Sequence, residues 1–317
     1  MKSINKLLTL VAILCISLSA CQKDFLAEDN NPPGIVAHSN YLDKIFFIDS
    51  TGTVKDTSSY YSYEYDNAKR VIKLNYFMHS SGSYVLLENY RYFYNGNDTL
   101  PFKRVFYFFE NAIDYANPAL TDTTITFYFY NNSGKNLRDS ILTVQHYTLG
   151  GAVDFEYWKE INQYQYGTNG IYNLNTKTTI NSSYPFSTDP QLSLDTAYTD
   201  SRGNILSYKK YLVYNNTSIP DRTASFTYDN NLSPFAKLSN LRTLFMFPIG
   251  ETFFEIMQSH NNRLKAYEED VFSGTVLFDE DLTGKYTFNA NRYPHRNVQQ
   301  DGNPGIFLIT LFTYKAL

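Results

Sequence analysis

Cysteine is almost absent from this 317-residue chain, which has only Cys15 and Cys21, and tryptophan occurs once. Two cysteines this close to the N-terminus cannot cross-link the rest of the chain, so a disulfide framework is excluded. A chain of this length can bury a large hydrophobic core without such cross-links. The shortage therefore excludes the small disulfide-rich classes of secreted protein, but it does not exclude a large folded domain.

Positive charge is also scarce. The chain has 27 Lys and Arg side chains against 31 Asp and Glu, which gives a net charge of −4, and no segment concentrates the basic residues. Nucleic-acid binding needs concentrated positive charge to contact the phosphates. We therefore expect no nucleic-acid partner.

Catalytic and cofactor motifs are missing as well. Five histidines are scattered along the chain, and no zinc-protease motif, nucleophile elbow, phosphate-binding loop or dinucleotide fingerprint occurs. The acidic runs 268–270 and 279–281 lack the rest of a calcium loop, so we interpret both as solvated acidic turns. We expect no metal site, no cofactor and no catalytic residue, although two glycosidase carboxylates far apart in sequence stay open as an alternative.

The N-terminus has the form of an export signal. Lys2 and Lys6 precede the apolar run Leu7–Ala20, which is too short to cross a bilayer because a spanning helix needs about 20 residues. The run ends in Leu18-Ser19-Ala20-Cys21, which resembles the bacterial lipobox. This resemblance implies that residues 1–20 are a signal peptide and that lipid on Cys21 attaches the mature chain to a membrane. The mature chain then has 25 basic and 31 acidic side chains, a net charge of −6.

The segment 21–40 is polar, contains Asn30-Asn31-Pro32-Pro33-Gly34 and shows no hydrophobic period. This composition predicts a flexible tether between the lipidated cysteine and a folded domain. Gln22-Lys23-Asp24 resembles the short signal that sends some Bacteroidetes lipoproteins to the outer face of the outer membrane. An ordinary solvated linker explains the same three residues equally well.

Aromatic residues are what the chain has in excess, at 17% of its length. From Tyr41 onward, short alternating segments end in aromatic residues that are followed by Asn, Asp or Gly. These turn positions are 66, 95, 131, 167, 200, 229 and 289. Their spacing of roughly 30 residues is the length of two or three strands with their turns. Aromatic residues suit the pleated surface of a strand, and Asn, Asp and Gly suit turns, so the pattern predicts stacked β-hairpins.

Strand alternation predicts which face each aromatic residue occupies. Tyr61, Tyr63 and Tyr65 lie two residues apart and therefore share one face, and Ile72, Leu74 and Tyr76 continue with the same period. In the run 127–130, phenylalanine has no polar group to solvate, so we expect Phe127 and Phe129 to face the core and Tyr128 and Tyr130 to be partly exposed. The repeated aromatic residues favour core packing over a sugar-binding platform.

These patterns predict an all-β fold. We expect one large, twisted, mainly antiparallel sheet of more than ten strands, built of repeated hairpins as an open meander or a partly curled barrel, in a single domain over 41–317. One stretch departs from the β pattern, because Leu238, Leu241, Leu244 and Phe245 have helical spacing. It predicts a short helical insertion near 235–247 that covers one end of the sheet.

The aromatic turns resemble degenerate tyrosine-aspartate (YD-like) repeats of large secreted β proteins. A closer resemblance is to Bacteroidetes lipoproteins of unknown function, which combine a lipobox with repeated hairpins and a fixed order of short motifs. The motifs present here are Cys21, Tyr228-Asp229, Pro234-Phe235, Asn261-Asn262, Tyr286-Thr287-Phe288-Asn289 and Tyr293-Pro294. The chain departs from that pattern at Ser233 and Phe288. The resemblance implies a fold and a location in the cell envelope, but no activity.

The function that we expect is non-catalytic binding at the cell envelope. An outer-membrane lipoprotein, exposed at the surface or not, would present its sheet to a glycan or another envelope component, such as an envelope protein. Tyr157 and Trp158 are the candidate ligand-binding residues, because the only tryptophan lies beside a tyrosine. Two alternatives stay open: a structural or assembly partner of an outer-membrane complex, and a glycoside hydrolase whose carboxylates the sequence does not identify.

Overall fold

The computed structural model describes residues 41–51, 54–109, 121–149, 152–167, 170–182, 191–238, 260–300 and 306–317. Nine strands occupy the first part: β1 (Tyr41–Thr51), β2 (Val54–Tyr65), β3 (Val71–Ser80), β4 (Ser83–Phe93), β5 (Lys103–Phe108), β6 (Asp122–Tyr130), β7 (Asn136–Leu149), β8 (Ala152–Tyr166) and β9 (Gly170–Ser182). Eight more follow: β10 (Gln191–Thr199), β11 (Ile205–Tyr214), β12 (Thr217–Leu232), β13 (Asn261–Asp270), β14 (Thr275–Asp281), β15 (Tyr286–Phe288), β16 (Pro294–Gln300) and β17 (Ile306–Lys315). The predicted signal peptide, lipidated Cys21 and tether lie outside these described residues.

All the strands belong to one antiparallel sheet. Each strand from β1 to β13 pairs with the strand that follows it, β16 pairs with both β15 and β17, and β17 pairs with β1. The spatial order is therefore β15-β16-β17-β1, followed by β2 to β14 in sequence order. No ladder joins β14 to β15 in the described part, so the sheet is an open meander. The prediction of an all-β fold with more than ten antiparallel strands is confirmed.

A single type of turn recurs where the aromatic segments end. At the first example, the Asp66 N–H donates to the Arg70 carbonyl at 3.0 Å, and the Asp66 carboxylate accepts the Arg70 N–H at 2.9 Å. Lys69, between them, has a left-handed backbone with φ of 63°. The same backbone pattern begins at Asn131, Asp200 and Asn289. Aspartate and asparagine occupy these positions because their short side chains accept hydrogen bonds from the turn's own backbone.

Tyrosine hydroxyls close the open ends of the hairpins. Tyr65, the last residue of β2, donates its hydroxyl to the carbonyl of Leu42 at the start of β1, at 2.7 Å. Five more tyrosines make the equivalent bond at 2.7–3.0 Å: Tyr94 to Val71, Tyr130 to Pro101, Tyr166 to Asn136, Tyr228 to Ile205, and Tyr314 to Pro294. The repeat is therefore a two-stranded hairpin whose second strand ends in a tyrosine latch.

The main core lies on one side of this sheet, which we call the inner face. Tyr63 and Leu74 are buried there, and Tyr61 and Tyr65 pack against the same cluster, which confirms their predicted shared face. Ile72 does not join them, because a β-bulge opposite Tyr65 changes the alternation and Val71 takes the buried position instead. A single extra residue in a ladder thus moves a side chain to the other face.

The expectation for residues 127–130 is wrong. Phe127 and Phe129 are 41% and 48% exposed on the opposite side, which we call the outward face, whereas Tyr128 is only 5% exposed within the core. The inner face around Tyr128 contains Arg104 and the carboxylate of Asp139. These charged groups make this part of the inner face polar, and tyrosine, which carries a hydroxyl, suits it better than phenylalanine. Burial raises the pKa of Tyr128 to about 12, although Arg104 opposes the shift.

The segment after β12 covers part of the inner face. Phe235 and Leu238 are 0% and 3% exposed and belong to the same cluster as Leu42 and Leu74 of the first strands. Residues 234–237 form turns, and the rest of the predicted helical insertion, 239–247, lies outside the described residues. The described segments contain no helix long and apolar enough to cross a membrane.

Candidate binding cavity

A cavity of about 450 Å³ opens on the inner face, where the two ends of the strand order approach each other. Its lining comes from β15–β17 and β1–β3, which follow one another in the strand order, and from β13 and β14 at the other end of that order. Pro234 and Phe235 contribute from the segment after β12. Cavities of this volume hold small organic ligands. The curvature of the sheet creates the site, since its lining includes Tyr61 of β2 and Arg263 of β13, which belong to strands that no ladder joins in the described residues.

One wall of the cavity is aromatic. Tyr61 of β2 stacks on Tyr76 of β3 with ring centroids 4.5 Å apart, and Phe47 of β1 meets Tyr61 edge to face at 6.0 Å. The three residues are cross-strand neighbours on the inner face, since Tyr61 is opposite Tyr76 in the ladder. Together they form an apolar surface with phenol groups, which suits the C–H face of a ring-shaped polar molecule.

The opposite wall is charged. Arg263 of β13, whose side chain is 1% exposed, forms an ion pair with Glu280 of β14. Gln299 of β16 donates to the other oxygen of Glu280 at 2.6 Å. The contact joins β14, at one end of the strand order, to β16, near the other end. These two strands share no ladder in the described residues, so the side chains make the connection. Removing Arg263 or Glu280 would leave the charge of the other buried without compensation.

The position of Glu280 contradicts the interpretation of residues 279–281 as a solvated acidic turn. The run 279–281 does not form a solvated turn but ends strand β14, and alternation places Asp279 and Asp281 on one side of it and Glu280 on the other. Asp281 is exposed and pairs with Lys265 at 2.9 Å. Glu280 faces the cavity and is only 12% exposed. Glu268, from the other acidic run, is also buried and lies 3.4 Å from Arg222.

Polar groups beside the cavity form a buried network. The amide nitrogen of Asn262 donates to both carboxylate oxygens of Asp229, at 3.3 and 3.1 Å. Asn261 exchanges hydrogen bonds with Asn204, at 2.9 and 3.0 Å, and thereby connects the start of β13 to the turn before β11. Burial raises the pKa of Tyr286 well above its ordinary value, so its hydroxyl stays protonated at neutral pH. The network fixes the charged wall in position.

Several motifs of the family resemblance meet at this cavity. Pro234, Phe235, Asn262 and Tyr286 all contribute to its lining. The sequence order of these motifs indicated a shared architecture, but their separation along the chain gave no reason to place them together. Arg263, Glu280 and Gln299 carried no sequence signal as a group, because a contact across three strands has no fixed spacing.

The predicted ligand-binding pair lies elsewhere. Tyr157 of β8 is half-buried on the outward face, opposite Val144 of β7, and is not among the described residues that line the cavity. Trp158 pairs with Thr143 in the same ladder, and its side chain lies outside the described part of the structure. Binding at these two residues stays a prediction. No cluster of three metal-ligating side chains occurs among the residues that were described.

Comparison with known proteins finds only distant structural similarity. No protein-family model and no curated protein matches the chain. A porin-like protein from Bacteroides vulgatus ATCC 8482 is similar in structure, with a TM-score of 0.49 and 12% sequence identity over 88% of this chain and 100% of that one. A porin-like protein from Bacteroides uniformis ATCC 8492 has a TM-score of 0.41 and 10% identity over 86% and 98% of the two chains. Neither likeness supports an assignment of function.

Proposed function

We propose that the chain is a membrane-anchored lipoprotein of the outer membrane whose β domain is a non-catalytic binding module. The ligand is a glycan or another component of the cell envelope, and the site is the cavity lined by β1–β3 and β13–β17. One observation carries the proposal: an aromatic wall of Phe47, Tyr61 and Tyr76 faces a charged wall within a cavity of about 450 Å³. An apolar surface with a few fixed polar groups is typical of small-ligand sites.

A non-catalytic role agrees with the state of the acidic groups in the cavity. Glu280 is held by Arg263 and Gln299, and Asp49, at the other side of the lining, is exposed. A glycosidase needs one carboxyl to donate a proton and a second to act as base or nucleophile. A carboxylate already engaged by a guanidinium and an amide serves better as a structural and hydrogen-bonding group.

Ligand screening with matched variants tests the proposal. The mature protein in detergent is screened on an array of envelope glycans, and hits are measured by calorimetry. Tyr61→Ala and Tyr76→Ala should each weaken binding about fivefold or more, since a stacking aromatic residue in a buried site contributes on the order of 1–3 kcal/mol. Tyr60→Ala is the control, because Tyr60 stacks on Phe77 at 4.8 Å on the outward face.

The outcome of that screen also separates the alternatives. Equal losses in the Tyr60 and Tyr61 variants would contradict binding in the cavity. Hydrolysis of a bound glycan that stops in Asp49→Asn or Glu280→Gln would establish the hydrolase alternative instead. The anchor has its own test: Cys21→Ala should abolish lipid labelling and release the protein from membranes, whereas persistent membrane attachment would contradict the lipoprotein assignment.

A further inference from the structure

The outward face of β4–β8 is a regular grid of side chains. Ladder pairing without interruption places Phe93, Lys103 and Phe127 in one row across β4, β5 and β6. A second row continues from Arg91 to Lys159 of β8 through Val105, Ile125 and Leu142. Phe129 and Arg138 form a third row. Five neighbouring strands span about 19 Å between their outermost members, since strands lie about 4.8 Å apart.

Apolar rings without polar atoms are exposed on this grid. Phe93, Phe127 and Phe129 are 40%, 41% and 48% exposed, and Leu142 is 37% exposed. Exposing phenylalanine to water is unfavourable, and a group of such side chains on one face of a sheet indicates a surface that is covered in the functional protein. Other aromatic residues of the same strands, such as Tyr92 and Tyr128, are buried on the inner face.

The charge on this face is of one sign. Four basic residues lie on the grid, namely Arg91, Lys103, Arg138 and Lys159. Every second residue of the segments 89–93, 103–107, 123–129, 138–144 and 157–163 faces outward, and none of these outward residues is Asp or Glu. The chain as a whole has a net charge of −4. Acidic side chains of the same strands, such as Asp139, are on the inner face. The separation of charge gives an acidic protein one basic face.

The cations lie directly beside the exposed rings. The Lys103 ammonium is 5.2 Å from the ring centroid of Phe93 and 5.7 Å from that of Phe127. The guanidinium of Arg138 is 5.2 Å from the centroid of Phe129. Rings next to long basic side chains match the boundary of a bilayer, where an apolar group enters the acyl region and a cation reaches the phosphates.

We infer that the outward face of β4–β8 docks on the anionic headgroup surface of a lipid bilayer. The contact orients the domain on the membrane. It is separate from the lipid anchor, which only limits the distance between the domain and the membrane. This step rests on the lipid anchor of the proposed function: the 20 residues from Cys21 to the domain span at most about 66–72 Å when extended, which keeps the domain near the bilayer at a high effective concentration. The docking is independent of the cavity, which lies on the inner face.

A fluorescent probe on the grid tests the docking. Phe129→Cys is labelled with an environment-sensitive dye, and the mature protein is placed on vesicles of equal parts phosphatidylglycerol and phosphatidylcholine or of phosphatidylcholine alone. Tyr214→Cys is the matched control, since Tyr214 is an aromatic residue, 69% exposed, at the end of β11. We expect a blue shift and quenching by brominated lipid at position 129 on the anionic vesicles only, and no response at position 214.

Charge variants decide whether the basic residues carry the interaction. Arg138→Gln and Lys159→Gln should each weaken docking about fivefold, because a basic side chain near an anionic surface contributes roughly that factor. Lys209→Gln, which removes an exposed lysine of β11, should leave docking unchanged. Three results would overturn the inference. They are equal blue shifts at positions 129 and 214, equal quenching at position 129 on both vesicle types, and no blue shift at position 129 on the anionic vesicles. Circular dichroism of each variant confirms that the sheet is retained.

Discussion

The inner and outward faces of the same strands differ in a way that strand alternation alone does not reveal. On β6, Tyr128 is buried beside Arg104 and Asp139, while its neighbours Phe127 and Phe129 are exposed. On β2, Tyr61 lines the cavity while Tyr60 stacks on Phe77 on the other side. The inner face therefore combines tyrosines with buried polar groups, and the outward face of β4–β8 combines phenylalanines with cations. Position within the sheet, rather than hydrophobicity, decides which aromatic residue is buried.

The largest expected effect concerns the residue that covers the inner face. Phe235→Ala should lower the free energy of unfolding by about 3–5 kcal/mol, because Phe235 is fully buried and its loss leaves a cavity. Phe272→Ala, in a hairpin turn and 91% exposed, should change stability by less than about 0.5 kcal/mol. Urea unfolding of both variants measures the difference. Similar losses would mean that the segment after β12 does not contribute to the core.

Adjacent residues of β6 test the comparison directly. Tyr128→Ala should cost about 3 kcal/mol in unfolding free energy, since it removes a buried ring from the core cluster. Phe129→Ala should cost less than about 1 kcal/mol because half of its side chain is already exposed. Urea denaturation at neutral pH is again the measurement. A larger cost at Phe129 would reverse the assignment of the two faces.

A smaller effect belongs to the tyrosine latches. Tyr94→Phe removes the hydroxyl that donates to the Val71 carbonyl at 2.7 Å and should destabilise the protein by about 1 kcal/mol. Tyr214→Phe removes a hydroxyl from a side chain that is 69% exposed and should have no measurable effect. Thermal unfolding of the pair provides the test. If both variants melt at the wild-type temperature, the latches do not contribute to stability.

The smallest expected effect is a difference in pH dependence between the inner face and the turns. Burial raises the pKa of Asp139, although hydrogen bonds from Tyr164 and Asn162 oppose the shift. For a carboxyl with a raised folded-state pKa, the native state binds more protons between the unfolded and folded pKa values, so stability falls as pH rises through that interval. Wild type should therefore gain stability relative to Asp139→Asn as the pH is lowered through the raised pKa.

Asp200, in the turn before β11, should behave in the opposite way. Partial burial acts to raise its pKa, but hydrogen bonds from Asn204 and Arg202 dominate, so the pKa is lowered. Its contribution is present above the unfolded pKa and is lost as pH falls through the folded one. The stability advantage of wild type over Asp200→Asn should shrink towards low pH in urea titrations. Parallel pH profiles for the two variants would show that the two environments do not differ.

Much of the architecture follows from local patterns. Positions 66, 131, 200 and 289 were predicted as turns from the aromatic-Asx spacing, and all four form the same turn. The shared face of Tyr61, Tyr63 and Tyr65 also follows from alternation. The position of Ile72 was predicted wrongly, because a β-bulge is a property of two strands and leaves no mark in the sequence of one.

By itself, the sequence determined the all-β class, the antiparallel hairpins and the turns, because propensity and period two act over a few residues. Only the tertiary structure decided that Phe127 and Phe129 are exposed, since burial depends on which face the segment with Phe235 covers. It also decided the cavity, because Arg263, Glu280 and Gln299 meet only when the sheet curves. Contacts between strands far apart in the chain depend on that curvature, which no local pattern encodes.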